Sequence, residues 1–482
     1  MSERWNPQSV QPIWVNNEWV TGEGELPVVD PSTGEVFARV ATVGRSVVQS
    51  AIGTAFRAWD AWRRLTGRER GRCLLRIADA VDRRADEFAR TITRENGKPL
   101  AQARAEVAMT VDHLQWFAEE ARRAYGRVVP QQVAGKRHLV LRQPVGVVGA
   151  IAPWNFPLVL AVRKAAPALA AGCPVVLKPA SATPLSAVLL CEAIEAADLP
   201  PGVFHLVVGT AAEIGAEFTQ NPLCRKITFT GSTAVGRELM RAAGEQIKKL
   251  SLELGGHAPA IVFEDADLEI ALQQSLIAKF RNTGQSCIAA NRLYVQRSIF
   301  GTFVDAFVER TKALKVGGGF EPDVEIGPLI DAAAVEHALA QVEDAVAQGA
   351  QIACGGRRLD RPGFFFEPTV LTDVPRHAQC MTEESFAPLV PIVPFDTEEE
   401  VIAAANDTEY GLAAYLFTQR LDRAWRVAEA LEAGTVAVND GVPAVSCCPF
   451  GGFKQSGMGR ELGTEGLDAF LETKHVSLGN IG

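Results

Sequence analysis

The chain has 482 residues and a formal net charge of −9, with 47% hydrophobic and 22% charged residues. This length exceeds what one hydrophobic core supports, so we expect two or three domains, and the ordinary composition argues against a disordered protein. The acidic balance offers no basic surface for nucleic acid or an anionic membrane, which leaves chemistry on small molecules as the expected function.

Cysteine usage and the first residues indicate the compartment. The nine cysteines are odd in number and irregularly spaced, unlike a secreted disulfide framework, and the adjacent Cys447 and Cys448 are too close for ordinary disulfide geometry. The start, MSERWNPQSVQPIWVNNEW, lacks the apolar core of a signal peptide, and prolines interrupt the most apolar window. We therefore expect a cytoplasmic protein without a transmembrane segment, and the seven isolated histidines predict no metal site.

The first predicted elements are helices. From Ser46 to about Tyr125, apolar residues recur every three or four positions, which predicts a series of amphipathic helices. The next segment, YGRVVPQQVAGKRHLVLRQP, has β-branched residues around a central glycine and predicts a two-stranded hairpin. A hairpin placed between helices and a sheet could pair with another subunit.

A parallel sheet is predicted next. From Val145 to Ala266, helical segments alternate with the apolar runs VGVVGAI, CPVVLKPA, VFHLVVG, KITFTG and APAIVF. Such runs indicate a doubly wound parallel sheet covered on both faces, which binds ligands at the carboxyl ends of its strands. A second alternation from about Ala271 to Asp440 predicts a second α/β domain, and AFLETKHVSLG predicts a terminal strand.

Two loops at predicted strand ends could hold phosphate or ribose. KITFTGSTAVGRELM runs from a strand through Gly231 and Ser232 to Gly236 and a helix, which would let the backbone approach a diphosphate. The spacing fits neither GxGxxG nor a Walker loop, so a plain strand-to-helix turn is at least as good an interpretation. In VLKPASATP, Lys178 could reach a ribose or phosphate, although Ser181 is explained more simply as a capping residue of the next helix.

Three residues could carry covalent chemistry together. Cys287 lies among small and polar residues in RNTGQSCIAANR, Glu253 lies beside two glycines in SLELGGHAPA, and Asn155 lies in APWNFP. Taken singly, each residue has a simpler interpretation: Cys287 as an inert thiol, Glu253 as a surface carboxylate and Asn155 as a turn residue. If they converge, a thiolate attacks a carbonyl carbon, the amide stabilises the oxyanion, and the carboxylate later activates water.

Together these segments resemble the aldehyde dehydrogenase superfamily over nearly the whole chain. The resemblance rests on motifs in one order: PWNFP at 153, KPAS at 178, FTGSTAVG at 229, LELGG at 252, GQSC at 284, EESFAP at 383 and PFGGFKQSG at 449. It implies an α/β fold that is aldehyde dehydrogenase-like. Its expected parts are a Rossmann-type doubly wound dinucleotide-binding domain (1–125 and 145–255), an α/β catalytic domain (256–455) and a small β oligomerisation unit (126–144 and 465–482).

The resemblance also implies roles for the candidate catalytic residues. Cys287 would be the nucleophile and Glu253 the general base. Asn155 would donate to the oxyanion together with the backbone N–H of Cys287. Lys164 and Glu461 match positions linked to proton relay.

A cofactor site for NADP or NAD is implied as well. Lys178 would hold the adenosine ribose, Ser232 the diphosphate and Glu384 the nicotinamide ribose, and Phe386 would lie beside the nicotinamide; the other expected cofactor residues are Trp154, Ser181, Gly231 and Gly236. Ser181 stands where many NAD-preferring relatives have a glutamate that binds the ribose hydroxyls and repels a 2′-phosphate. We therefore expect NADP to be accepted or even preferred.

Within the superfamily, the likeness is greatest to succinate-semialdehyde dehydrogenases. Arg163 and Arg281 match two arginines that bind the substrate carboxylate there, a pairing that suits the guanidinium fork. The sequence departs from this pattern in two places. The serine expected shortly before PFGG is not clearly in register, because Val445 lies near that position and Ser446 beside it. Ala289 replaces a second cysteine that some relatives carry two residues after the nucleophile, which excludes a redox switch between two such cysteines.

The expected activity is NAD(P)-dependent oxidation of an aldehyde to a carboxylic acid through a cysteine thiohemiacetal and thioester. Succinate semialdehyde is the expected substrate; the alternatives are another aldehyde, such as glutarate semialdehyde or an aromatic aldehyde, or a catalytically silent protein of the same fold. The expected partners are a small aldehyde and further copies of the chain in a homodimer or homotetramer, with no nucleic acid and no membrane.

Overall fold

The computed structural model describes residues 5–479, so residues 1–4 and 480–482 of the expected domains lie outside the described residues. Five strands precede the first helix: β1 (Val10–Gln11), β2 (Ile13–Val15), β3 (Glu18–Val20), β4 (Gly24–Asp30) and β5 (Glu35–Thr42). β1, β5 and β4 form one sheet, and β2 pairs with β3. The sequence analysis did not identify these strands because most are very short, and the partial exposure of both faces of β4 conceals the two-residue alternation.

The predicted helical segment forms four helices: α1 (Arg45–Arg64), α2 (Gly67–Arg83), α3 (Ala85–Asn96) and α4 (Leu100–Glu120). α2 starts at a capping box in which the Thr66 side chain accepts from the Glu69 backbone N–H and the Glu69 carboxylate accepts from the Thr66 backbone N–H. The hairpin prediction is also confirmed, because β6 (Arg127–Val129) pairs antiparallel with β7 (Lys136–Pro144).

The doubly wound sheet follows. Its strands are β8 (Val147–Ile151), β9 (Val175–Lys178), β10 (Phe204–Leu206), β11 (Cys224–Thr230) and β12 (Lys249–Glu253), and its helices are α5 (Val159–Ala171), α6 (Leu185–Ala196), α7 (Ala211–Gln220) and α8 (Thr233–Gly244). These strands are parallel in the order β10-β9-β8-β11-β12. The chain starts at β8, moves outward to β10 and returns on the other side, so a ligand cleft is expected between the ends of β8 and β11.

A second sheet contains the remaining long strands. Its elements are β13 (Ala258–Val262), α9 (Leu268–Phe280), β14 (Ala290–Gln296), α10 (Phe300–Ala313), α11 (Ala332–Ala347), β15 (Gln351–Cys354), β16 (Thr369–Thr372), α12 (Gln379–Thr382), β17 (Leu389–Phe395), α13 (Glu398–Asn406), β18 (Ala413–Phe417), α14 (Leu421–Ala430) and β19 (Thr435–Val438). The strand order is β15-β16-β17-β14-β13-β18-β19. Placing APAIVF in the first sheet was therefore wrong, because an apolar run identifies a buried parallel strand but not the sheet that it joins.

The end of the chain returns to two earlier units. β20 (Gly457–Met458) adds an antiparallel edge to β12, α15 (Gly463–Asp468) follows, and β21 (Leu471–Gly479) pairs antiparallel with β7. The predicted terminal strand is thus confirmed from Leu471, whereas residues 465–468 of the expected oligomerisation strand are helical. Within the described residues, no helix is both long and apolar enough to span a bilayer.

Candidate active site

Cys287 lies on a tight loop between α9 and β14. The turn at Arg281–Gly284 places Asn282 and Thr283 at positive φ, and it directs the following residues back toward the first sheet. Gly256 packs against this loop so closely that a Cβ atom there would lie 2.1 Å from the Cys287 carbonyl oxygen. The Cys287 side chain is half-buried, so it is neither sealed in a core nor freely solvated.

Asn155 follows the end of β8 and contacts the same loop. Its side-chain Nδ2 donates to the Gln285 carbonyl oxygen at 3.1 Å, two residues before Cys287. An amide nitrogen carries two protons, so one remains for another acceptor. The structure therefore joins two motifs that are far apart in the sequence and places an amide donor against the Cys287 loop.

Glu253 ends β12 and is 3% exposed, so the surface reading of this carboxylate does not hold. Neither of its oxygens has a hydrogen-bond partner among the described residues, and burial followed by repulsion from Glu461 raises its pKa well above the ordinary value. Burial, followed by the Glu384 and Glu253 carboxylates, raises the pKa of Cys287 to about 12. A thiol beside such a carboxylate is protonated at neutral pH and must lose its proton before its sulfur can attack a carbonyl carbon.

The two expected relay residues form a buried ion pair. Lys164 Nζ lies 2.6 Å from Glu461 Oε1 and donates to Thr230 Oγ1 at 2.5 Å. Glu461 Oε2 has no partner among the described residues, and this carboxylate acts on the pKa of Glu253. Lys164, Glu461 and Glu253 therefore form one electrostatic group behind the thiol.

Five expected cofactor residues lie at the ends of β9 and β11. Lys178 closes β9, with its Nζ donating to the Pro179 carbonyl oxygen at 3.1 Å, and Ser181 is exposed beyond it. The next helix begins after Pro184 and has no side-chain cap, so the capping interpretation of Ser181 was wrong. Gly231 follows β11, the Ser232 side chain caps α8, and a Cβ on Gly236 would meet Leu254 at 2.5 Å. The expected ribose and phosphate residues thus follow two strands that flank β8 in one sheet.

The other three cofactor candidates lie nearer to Cys287. Glu384 Oε1 accepts from the Gly256 backbone N–H at 3.0 Å, and burial raises the pKa of Glu384 to about 7. The rings of Trp154 and Phe386 meet edge to face at 5.4 Å between centroids. The glycine at the end of β11, the backbone N–H groups at the start of α8 and the buried Glu384 carboxylate would suit the diphosphate and ribose of a nicotinamide dinucleotide.

Arg163 and Arg281 converge on the same site. The Arg163 guanidinium lies 5.1 Å from the centre of the Phe450 ring, and that of Arg281 lies 5.2 Å from the centre of the Phe156 ring. Within the described part of the chain, neither arginine makes a salt bridge, and Arg163 Nε lacks any hydrogen-bond partner. Burial, together with the charge of Arg163, lowers the pKa of Arg281. A bound anion would therefore stabilise both guanidinium groups, which have no acidic partner of their own among the described residues.

Lys98 and Glu106 support the site but were not identified from the sequence. Lys98 Nζ donates to Glu106 Oε2 and to the Asn155 carbonyl oxygen, each at 2.7 Å. Glu106 Oε1 accepts from the backbone N–H groups of Leu158 and Val159, where α5 begins. The pair is fully buried and fixes both the Asn155 loop and the helix that carries Arg163. A lysine and a glutamate eight positions apart on predicted helices gave no signal of this role.

Lys98→Met is expected to destabilise the protein by about 3 kcal/mol, because it leaves the Glu106 carboxylate buried and unpaired. Chemical denaturation of the two proteins measures this difference. Lys312→Met serves as the control, since Lys312 and Glu309 form an exposed pair and should contribute less than about 1 kcal/mol. Equal losses in the two variants would contradict the supporting role of Lys98.

Comparison with known proteins identifies the family. Residues 19–476 match the Aldehyde dehydrogenase family. The chain is 48% identical to the glutarate-semialdehyde dehydrogenase of Pseudomonas aeruginosa, over 98% of both chains. It is 47% identical to a succinate-semialdehyde dehydrogenase (NADP+) of Escherichia coli, over 97% of this chain and 98% of the relative. A crystal structure of succinate-semialdehyde dehydrogenase from Burkholderia pseudomallei superposes with a TM-score of 0.96, at 44% identity over 97% of this chain and 98% of that one. The expected fold class is thereby confirmed, and the chain belongs to the aldehyde dehydrogenase family.

Proposed function

We propose that this chain oxidises succinate semialdehyde to succinate, with NAD or NADP as the hydride acceptor. The observation that carries the proposal is the pair of arginines without salt bridges, Arg163 and Arg281, whose charges both act on the Cys287 thiol. A short aldehyde with a carboxylate at its other end would place its carbonyl near the sulfur while the carboxylate meets the guanidinium groups. The named relatives act on aldehydes of this kind, which supports the same class here.

In the proposed reaction, the half-buried Cys287 thiol loses its proton to solvent as its sulfur adds to the aldehyde carbon, and a thiohemiacetal forms. The negative charge on oxygen is held by the free Asn155 amide proton and the Cys287 backbone N–H. A bound nicotinamide supplies the hydride acceptor, and loss of hydride leaves a thioester on Cys287. Glu253 then takes a proton from water, whose oxygen attacks the thioester; the C–S bond breaks, the acid proton returns to the sulfur, and the carboxylate product leaves.

The same proposal gives the Lys164–Glu461 pair a role in proton release. Glu253 has no hydrogen-bond partner of its own among the described residues, and the free Glu461 Oε2 belongs to the adjoining charged group. A proton that leaves Glu253 can therefore pass to the Lys164–Glu461 pair. This keeps Glu253 ready for the next turnover.

Glutarate semialdehyde is the second candidate substrate. It has one more methylene group, and hydrophobic pockets discriminate a single methylene only weakly. The 48% identity to the glutarate-semialdehyde dehydrogenase of Pseudomonas aeruginosa supports this alternative. Turnover of succinate semialdehyde, glutarate semialdehyde and butanal, measured with NAD and with NADP, ranks the candidates.

Replacing either arginine by methionine is expected to lower kcat/KM for succinate semialdehyde by about 10- to 100-fold, because one charged hydrogen-bonding partner is lost. Turnover of the neutral butanal should change much less. Arg310→Met is the control, since Arg310 pairs with Glu269 on the surface. If Arg163→Met and Arg281→Met both keep the wild-type preference for the carboxylated aldehyde, the assignment of these arginines is wrong.

We also propose that the chain forms a homodimer or homotetramer in a reducing cytoplasm. β21 is the longer of the two edge strands in the sheet β21-β7-β6, and a long edge strand offers unpaired backbone groups to another copy. All nine cysteines are free thiols, which supports a reducing compartment. Light scattering of the purified protein measures the assembly, and a monomeric mass would contradict it.

A further inference from the structure

A surface cavity of about 450 Å³ opens beyond the candidate adenosine-ribose residues. Ser181, three residues after Lys178, forms part of its wall. The opposite walls come from the N-terminal sheet and from the start of α7. The lining residues are Glu23, Gly24, Glu25, Leu26, Thr42, Val43, Gly44, Ser181, Gly209, Thr210, Ala211 and Glu213. Because Ser181 lines this cavity, the cavity adjoins the place where Lys178 and Ser181 would hold a ribose.

The charged side chains around this cavity are acidic. Its wall contains Glu23, Glu25 and Glu213, and the described lining residues include no lysine, arginine or histidine. Glu25 is neutralised by Arg39, whose Nη1 lies 2.6 Å away. Glu213 is exposed in the first turn of α7, and Glu23 lies against Gly44, where α1 begins. No salt bridge involves Glu23 or Glu213 within residues 5–479.

Lys178 compensates these charges only in part. Its Nζ is buried and already donates to the Pro179 carbonyl oxygen at 3.1 Å. A 2′-phosphate adds nearly two negative charges and needs positive or N–H partners, for which NADP sites use an arginine. The 2′-hydroxyl of NAD is neutral and tolerates an acidic surrounding. Ser181 therefore leaves room for a phosphate, and the starts of α1 and α7 lack side-chain caps, but the carboxylates of Glu23 and Glu213 lie at these helix starts and oppose the phosphate's charge.

We propose that this chain prefers NAD to NADP, and that Glu213 and Glu23 exclude the 2′-phosphate. The inference rests on the proposed function, which places a dinucleotide at the ends of β9 and β11. It differs from the expectation based on Ser181 alone and from the cofactor in the name of the Escherichia coli relative. The preference would come from repulsion of NADP and not from an added contact to NAD.

Calorimetric titration with NAD, NADP, 5′-AMP and adenosine 2′,5′-bisphosphate tests this inference without turnover. We expect NAD to bind at least about tenfold more tightly than NADP at low salt, a gap that narrows as salt screens the exposed carboxylates. Glu213→Gln and Glu23→Gln should each reduce the NAD-to-NADP affinity ratio by about three- to tenfold. The bisphosphate should gain affinity in both variants, while 5′-AMP changes little.

The control is Glu35→Gln, which removes an exposed carboxylate of β5 that does not line the cavity and should leave the ratio unchanged. Tighter binding of NADP than of NAD by the wild type would overturn the inference, as would an unchanged ratio in both cavity variants. Those results would leave the proposed aldehyde oxidation intact. Failure of both dinucleotides to bind would instead overturn the proposed function.

Discussion

Replacing Cys287 by alanine is expected to lower aldehyde oxidation by at least about 10⁴-fold, because the thiohemiacetal and the thioester both lose the atom on which they form. The reduced cofactor, followed by absorbance, measures the loss. The substitution removes one half-buried sulfur and should leave the fold intact.

Cys354→Ala is the matched control for this experiment. Cys354 is also a partly buried free thiol, but it lies on the edge strand β15 of the second sheet. Its replacement should keep turnover near the wild-type value. Activity of Cys287→Ala within about tenfold of the wild type would remove the basis of the covalent mechanism.

Glu253→Gln is expected to lower steady-state turnover by about 10²- to 10⁴-fold, because the base that activates the hydrolytic water is lost. The first turnover should survive, since formation of the thioester precedes attack by water. Rapid mixing should therefore show a burst of reduced cofactor of about one per active site, followed by a slow phase.

Glu336→Gln, at an exposed position on α11, serves as the control and should behave as the wild type does. A Glu253→Gln enzyme that binds cofactor but shows no burst would exclude a role confined to hydrolysis. In that case Glu253 would be required before the thioester forms. The raised pKa of Cys287 makes this alternative outcome informative, because a protonated thiol must also lose its proton to some base.

The buried charges explain why the site needs its long-range supports. Glu253, Lys164 and Glu461 share one buried region, where an unpaired charge is costly and a paired one depends on accurate placement. Lys98 and Glu106 supply part of that placement by holding the Asn155 loop and the start of α5. Loss of such a support should affect both stability and catalysis.

The sequence by itself determined the kinds of element and the identity of the motifs. The three- and four-residue period predicted the helices from Ser46, the apolar runs predicted the parallel strands, and KITFTGSTAVGRELM predicted the turn at Gly231. These are local properties, since side-chain periodicity and glycine content act over a few residues. The order of the motifs was sufficient to indicate the family that the comparisons confirm.

Only the tertiary structure decided which distant segments meet. It moved Ala258–Val262 to the second sheet, brought Asn155 to Gln285, and joined Lys164 to Glu461 across 297 positions. It also placed Glu23, which directly precedes β4, on the wall of the cavity beside Ser181. Strand pairing, burial and charge repulsion depend on distances in space, and these distances are fixed only when the packed sheets bring remote residues together.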